Sequence, residues 1–372
     1  MINKKRLLEN FLKLVQIDSM SKEERAMVDE LARQLSALGL SVVEDDAGQK
    51  IGGNAGNLIA TMPGTVAKPA IMLSAHLDRV TPGLGIKPLV RDGIIYSDGS
   101  TILAADDLAG VVGIVEAVQA LLESKEPHGP VEIALTVAEE GGLRGAKNLD
   151  YSKLTAKLGF VLDGGGPVGS IVIKGPAQDR IEATIRGKAA HAGVSPEDGI
   201  NAIIAAATGL ARMKLGRIDP ETTANIGVIQ GGAATNIVPD MVYLKGEARS
   251  LNPAKLMAQS EHMRACLEAG ARERGATAEV QISRMYAELS LDAGDEVVEI
   301  ARRAAEHIGL APTMVTSGGG CDANIFNQRG IATVNLGMGY MKVHTTEEYI
   351  SVANLEKIAE WTLAIIQQTP KA

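Results

Sequence analysis

Apolar positions recur along this chain with two different periods. Near the N-terminus Leu7, Leu8, Phe11, Leu12 and Val15 share one helical face, and Met27, Leu31, Leu35 and Leu38 share another, which predicts two amphipathic helices. Short apolar runs then alternate with turn signals at 58–61, 71–75, 133–138 and 160–162, each of a length suited to a buried strand. Long helical patterns separate several of these runs. In the clearest, 108–122, the residues Val111, Val112, Ile114, Val115, Val118, Leu121 and Leu122 cover most of the helix surface and predict deep burial. Strands alternating with helices indicate an α/β domain with a mainly parallel sheet.

The pattern changes after Gly175-Pro176. From 179 to about 287 the order reads strand, helix (196–213), strand, strand, helix (253–274), strand, the βαββαβ order of a ferredoxin-like split unit. A helix near 297–308 and a strand at 331–336 then resume the first style. The expected organisation is one α/β domain from 1–175 and 288–372, with an α+β module inserted at 176–287. The crossings near Gly175 and Ala287 are expected to act as hinges about which the module closes as a body.

Length and composition agree with two domains. The chain has 372 residues, against a prior of roughly 150 per domain. Aromatic residues make up 3%, so the core must be aliphatic, with 13 methionines as filler. The formal net charge of −8 disfavours nucleic-acid binding, which needs clustered positive charge. Two cysteines, Cys266 and Cys321, make neither a disulfide framework nor a cysteine-based zinc site. Lys4, Lys5 and Arg6 resemble the start of a secretion signal, but Glu9, Lys13 and Asp18 interrupt the apolar run that should follow. The longest uncharged stretch, 222–239, is too rich in Thr, Asn and Gly for a membrane span. A cytoplasmic protein with no membrane partner is expected.

Residues with metal-ligand chemistry gather where strands end. His76-Leu77-Asp78 follows 71–75, Glu139-Glu140 follows 133–138, and Asp163 with three glycines follows 160–162. Asp106-Asp107 opens the buried helix, and His344 follows the strand ending near Leu336. Ligands of open α/β sheets bind at the carboxyl ends of the strands. Singly, each feature has a structural explanation: a rim histidine, a solvated turn, a helix N-cap with favourable dipole charge. Together they are harder to dismiss, because carboxylates sharing a buried edge repel one another unless cations lie between them. Two His and three carboxylates suit two borderline cations, most simply Zn²⁺, with Co²⁺ or Mn²⁺ as alternatives. Such pairs sit about 3.5–4 Å apart and lower the pKa of a shared water. A further Glu that does not ligate can take that proton, and an Asp two residues beyond a ligand His can fix its tautomer.

These residues resemble the M20 metallopeptidase family, most closely its peptidase T-like branch of tripeptide aminopeptidases, over nearly the whole chain and in the same order. Ser74-Ala75-His76-Leu77-Asp78 resembles the H-x-D motif, which implies that His76 ligates one metal and Asp78 orients it. Ala104-Ala105-Asp106-Asp107-Leu108-Ala109-Gly110 resembles A-D-D-K-A-G, which makes Asp106 the bridging ligand and implies a cis peptide after it. Ala138-Glu139-Glu140 resembles the E-E motif, with Glu139 the general base and Glu140 a ligand of the second metal. Asp163 matches the carboxylate that completes the first site, and His344 the last ligand of the second. The resemblance implies a zinc-peptidase-like catalytic domain with two Zn²⁺, a short peptide as substrate, and an inserted lid that supplies homodimer contacts. In that lid His191 matches an oxyanion-stabilising His, while Asn236 and Arg249 match residues that grip the substrate carboxylate, a task suited to Arg. Gly319 and Gly320, in the loop Gly319-Gly320-Cys321-Asp322-Ala323-Asn324, are expected at the substrate pocket.

Three positions depart from the family pattern: Arg79 where many relatives have Thr, Leu108 where many have Lys, and Cys321 where Ser is common. Cys321 is read as a small packed residue, with a reactive thiol as the alternative. His128, His262 and His307 have no partner pattern and are read as structural or surface residues. An N-acyl amino-acid deacylase is the nearest rival function, because the same metals and base hydrolyse any amide. A catalytically silent metal-dependent binding protein is the second rival, and it leaves an unligated Glu139 without a use. A Rossmann dehydrogenase is disfavoured by the missing glycine fingerprint.

Overall fold

The apolar runs form the middle of a nine-stranded mixed sheet in the computed structural model, which describes residues 1–369. Val131–Thr136, Ile71–His76, Leu158–Gly164 and Ala332–Gly337 lie side by side and parallel. Every residue of the first two is buried, the continuous burial expected of central parallel strands. Pairing of His76 with Thr136, and of Ser74 with Val161, brings these strand ends to one edge. Antiparallel strands flank them: Leu58–Met62 and Ser41–Glu44 on one side, Ser170–Gly175 on the other.

Helix Ala105–Ser124 packs on Ile71–His76 and Leu158–Gly164. Gly110 permits that approach, since a Cβ there would lie 2.3 Å from the Leu162 carbonyl oxygen. Helices Lys4–Leu14, Arg25–Ala37 and Glu296–His307 lie where the apolar period places them.

Two departures from the periodicity matter for the site. The run 133–138 leaves the sheet early: the strand ends at Thr136, Val137 donates its N–H to Asn57 Oδ1 at 3.1 Å, and Ala138 has a φ of 50°. Glu139 therefore sits beyond a turn rather than continuing the strand. The helix expected over 196–213 is shorter, Ala202–Leu210, after the 3-10 turn Pro196–Asp198. Asn201 sets its start by accepting the Ile204 N–H at 3.0 Å, an N-cap that ends the preceding turn.

The chain forms two compact units, Met1–Lys174 with Ser290–Ser317 and Cys321 onward, and Gly175–Leu289 with Gly318–Gly320. The second is a five-stranded antiparallel sheet in the order Gly216–Asp219, Thr222–Gly231, Met241–Ser250, Ala177–Arg186, Thr277–Tyr286. Helices Ala202–Leu210 and Pro253–Glu273 share its alanine-rich core. The short strand Gly216–Asp219 is one more than the βαββαβ order predicts. A Cβ at Gly320 would lie 2.3 Å from the Tyr286 ring, so a larger residue there would have to displace that ring. Among the described residues no helix is long and apolar enough to cross a membrane.

Candidate metal centre

The shared sheet edge of the first unit gathers the strand-end residues into one acidic cluster. His76 is the last residue of its strand and 2% exposed. Its Nε2 lies 3.3 Å from Asp106 Oδ1 and 4.0 Å from Asp163 Oδ1. His344 Nε2 lies 2.8 Å from Glu140 Oε1 and 3.3 Å from Asp106 Oδ2. Asp106 thus stands between both imidazoles, one oxygen toward each. The Asp106–Asp107 peptide is cis, as the resemblance implies.

Ligand-capable atoms group into two triads, His76 with Asp106 and Glu140, and His76 with Asp107 and Asp163. Asp107 enters here although the motif gave it no role. Its Oδ2 accepts the His76 N–H at 3.1 Å, while its buried Oδ1 has no partner among the described residues. Asp78 acts on two segments at once. Its backbone carbonyl lies 3.0 Å from His76 Nδ1, and its carboxylate accepts the N–H groups of Glu139 at 2.8 Å and Glu140 at 3.2 Å. The tautomer of His76 is therefore fixed chiefly by a carbonyl, with the Asp78 carboxylate farther off at 3.6 Å.

Other supports carry no local sequence signal. Buried Glu348 accepts the N–H groups of Leu103 and Ala104, each at 2.9 Å, and of Asp106 at 3.0 Å, tying the His344 segment to the bend that presents Asp106. Tyr340 donates its hydroxyl to Asp163 Oδ1 at 3.2 Å, and Asn335 accepts the Asp163 N–H at 3.1 Å.

The electrostatics follow from burying so much like charge. Burial, then repulsion from Asp106, pushes the Asp163 carboxyl well up, and burial with repulsion from Asp163 does the same to Asp107. Glu139 rises for the same reason, burial first and then its acidic neighbours against the opposing pull of His76. Burial also works against ionised Asp106, but hydrogen bonds from His344 and His76 outweigh it and hold that carboxyl below its usual range. His344 is raised to about 10 by hydrogen bonds to Asp106 and Glu140. Burial opposes charge on His76, yet Asp106 and Asp78 raise it. Burial and mutual repulsion disfavour so many anionic carboxylates together, a load that divalent cations relieve. The oxygen and nitrogen donors, their mutual repulsion and the unpartnered Asp107 oxygen all fit such ions.

The departures prove structural. Arg79 is 1% exposed and donates to the carbonyls of Val15, Ile17 and Gly83 at 2.9, 2.6 and 3.3 Å. Burial lowers its pKa to about 10. Leu108 is core. Cys321 Sγ receives the Asn335 amide at 3.1 Å, and burial beside Asp163 and Glu139 pushes its thiol well up, which makes it a packed thiol rather than a nucleophile. His128 is buried against the Gly129 carbonyl, and His262 accepts the Lys214 N–H.

The remaining predicted residues, His191, Asn236, Arg249, Gly319 and Gly320, belong to the second unit. The segments bearing His191 and Asn236 run together there, with the Ala192 N–H donating to the Asn236 carbonyl at 2.9 Å. Arg249 donates to Glu247 through Nε at 2.8 Å and Nη2 at 3.1 Å.

The chain is similar to several known peptidases. An aminopeptidase PepT from Bacillus cereus ATCC 10987 is 49% identical, covers 99% of both chains and superposes with a TM-score of 0.90. A tripeptidase from Staphylococcus aureus subsp. aureus Mu50 is 44% identical over 99% of this chain and 98% of its own, with a TM-score of 0.94. A peptidase T of Limosilactobacillus fermentum is 26% identical over 97% of each chain. The sequence model of Peptidase family M20/M25/M40 matches residues 72–368, and the chain belongs to that family.

Proposed function

We propose that this protein is a dinuclear metal-dependent aminopeptidase that removes the N-terminal residue of short peptides, tripeptides above all. One observation carries the reading. Buried Glu139 stands at the edge of the ligand cluster, yet among the described residues it pairs with neither imidazole, whereas Asp106, Glu140 and Asp163 each do. A site that only stored or displayed a metal has no use for it.

In this reading His76, Asp106 and Asp163 would hold one cation and Asp106, Glu140 and His344 the other. When bound, such a pair lowers the pKa of water and polarises the scissile carbonyl. The oxygen and imidazole donors suit Zn²⁺, with Co²⁺ or Mn²⁺ as replacements. Glu139 takes the proton of the attacking water on its carboxylate and returns it to the leaving amine. Asp78 holds the peptide groups of Glu139 and Glu140 with one carboxylate, so base and ligand keep a fixed separation. For the second unit we read His191 as the group that stabilises the oxyanion, with Asn236, Arg249, Gly319 and Gly320 contacting the substrate. Residues 1–175 and 288–372 are then the catalytic part and 176–287 the lid and dimerisation part, in a cytoplasmic protein.

A homodimer through that part is supported by one edge of the second sheet. Thr222–Gly231 pairs along its length with Met241–Ser250, but with Gly216–Asp219 only through Thr222 to Ala224. Val228 and Ile229 are exposed beyond that point, an apolar open edge of the kind that pairs with another chain.

Replacing Glu139 by Ala tests the central role. Turnover of tripeptides is expected to fall by about 10²–10⁴-fold while metal content survives. Retained turnover would overturn the assignment, and cleavage confined to acyl-amino acids would favour the deacylase.

A further inference from the structure

The turn that carries Glu139 is held from behind by a residue outside every sequence motif. After Thr136 four consecutive N–H groups are taken by side chains. Val137 donates to Asn57 Oδ1 at 3.1 Å, Ala138 to Glu24 Oε1 at 3.0 Å, Glu139 to Asp78 Oδ1 at 2.8 Å and Glu140 to Asp78 Oδ2 at 3.2 Å. Ala138 itself has a φ of 50°, a left-handed conformation that a residue with a Cβ keeps only where its surroundings hold it.

Glu24 is unusual for its position. It stands at the N-cap of helix Arg25–Ala37, yet its side chain makes no capping hydrogen bond to that helix. The carboxylate is instead fully buried, its Oε1 receiving the Ala138 N–H and the Lys22 N–H at 2.7 Å, and its Oε2 has no partner among the described residues. Its neighbours brace the same place. Ser19 donates to the Leu77 carbonyl at 2.6 Å, Ser21 to the Asp78 carboxylate, and Met20 bridges to Arg79. Residues 19–24 thus run behind both the His76 segment and the Glu139 turn.

We propose that Glu24 is a positioning residue for the reaction: by accepting the Ala138 N–H it fixes the left-handed turn, and with it the place and direction of the Glu139 carboxylate, without holding metal. This rests on the reading of Glu139 as the base. A carboxylate attached to a loosened turn still exists but points wrongly, so the loss falls on turnover rather than on metal or substrate binding.

The test uses the full chain loaded with zinc and compares Glu24→Ala, Glu24→Asp and Glu24→Gln on a tripeptide, with metal analysis and hydrogen exchange of residues 137–140. Glu24→Ala is expected to lower kcat by ~10–100-fold, the usual cost of losing an outer support. KM should change by less than about twofold, since substrate binding is untouched. Metal content should be unchanged and exchange at 137–140 faster. Glu24→Asp, which withdraws the acceptor by one methylene, should show the same effects in weaker form. Glu24→Gln keeps an oxygen at the Oε1 position and should restore most of kcat and of the protection. Should the Ala variant fail to fold, the Asp and Gln pair decides the matter. Wild-type kcat in Glu24→Asp, equal losses in the Asp and Gln variants, or loss of metal would each overturn the proposal. Glu139→Gln is measured beside them. If it stays active, the base reading itself fails; if it is inactive while Glu24→Ala and Glu24→Asp match wild type, only the role of Glu24 fails.

Discussion

The two ends of the acidic cluster are built differently. At one end His76 is fixed by the fold: it closes a buried strand, its N–H is held by Asp107, and its ring faces the Asp78 carbonyl. Asp163 beside it is tied to Tyr340 and Asn335. At the other end His344 lies on a surface loop with left-handed φ values at Lys342 and His344, and its side chain is 49% exposed. The partners of its Nε2 are Glu140 and Asp106, members of the cluster itself. One end is made by packing before any cation arrives, whereas the other depends on the charges it is meant to join. A preorganised site binds with less reorganisation, so the His76 end should hold its cation more tightly than the His344 end.

The largest effect is expected where the ends meet. Asp106→Asn removes charge from both, so metal content should fall at both positions and turnover by about 10⁴-fold or more. Metal analysis with tripeptide kinetics checks this, and loss of a single equivalent would mean that Asp106 is not shared. Next, His344→Ala should retain the cation at the His76 end under dilution that strips the other, while His76→Ala should weaken both. The opposite ranking would break the asymmetry.

A smaller effect concerns Glu348, which supports the shared Asp106. Burial raises its carboxyl from 4.5 to about 7. The folded chain then binds a proton that the unfolded chain releases, so this group's contribution to stability is lost as pH rises from 4.5 through 7. In chelated protein, Glu348→Gln should reduce the fall in unfolding free energy across that window by about 3 kcal/mol, read from denaturant curves at several pH values. Parallel curves for variant and wild type would contradict it. Smallest of all, Cys321→Ser should change stability by about 1 kcal/mol or less, and thiol reagents should leave Cys321 of the folded wild type unmodified.

What could be read from the sequence was whatever sits next to an apolar run. His76 and Asp163 stand at strand ends, and Glu139-Glu140 one short turn past another, because buried strands precede them and a parallel sheet sends such ends to one edge. Periodicity did not reveal the turn at Val137 and Ala138, because both residues are apolar and look like more strand. It was equally blind to Glu24, Asn57, Tyr340 and Glu348. Each acts by bonding to a segment distant in sequence, Glu24 to Ala138 and Glu348 to Leu103, Ala104 and Asp106. A buried carboxylate that accepts backbone N–H groups looks, in the sequence, like any surface Glu. Asp107 was hidden differently, since adjacent Asp residues at a helix start read as dipole partners.

The most direct test combines metal analysis with product identification on a mixed pool of di- and tripeptides, with and without a chelator. The expected outcome is two divalent cations per chain and release of the N-terminal residue from tripeptides, with activity lost on chelation and restored by zinc. Full metal occupancy with every peptide intact would contradict it.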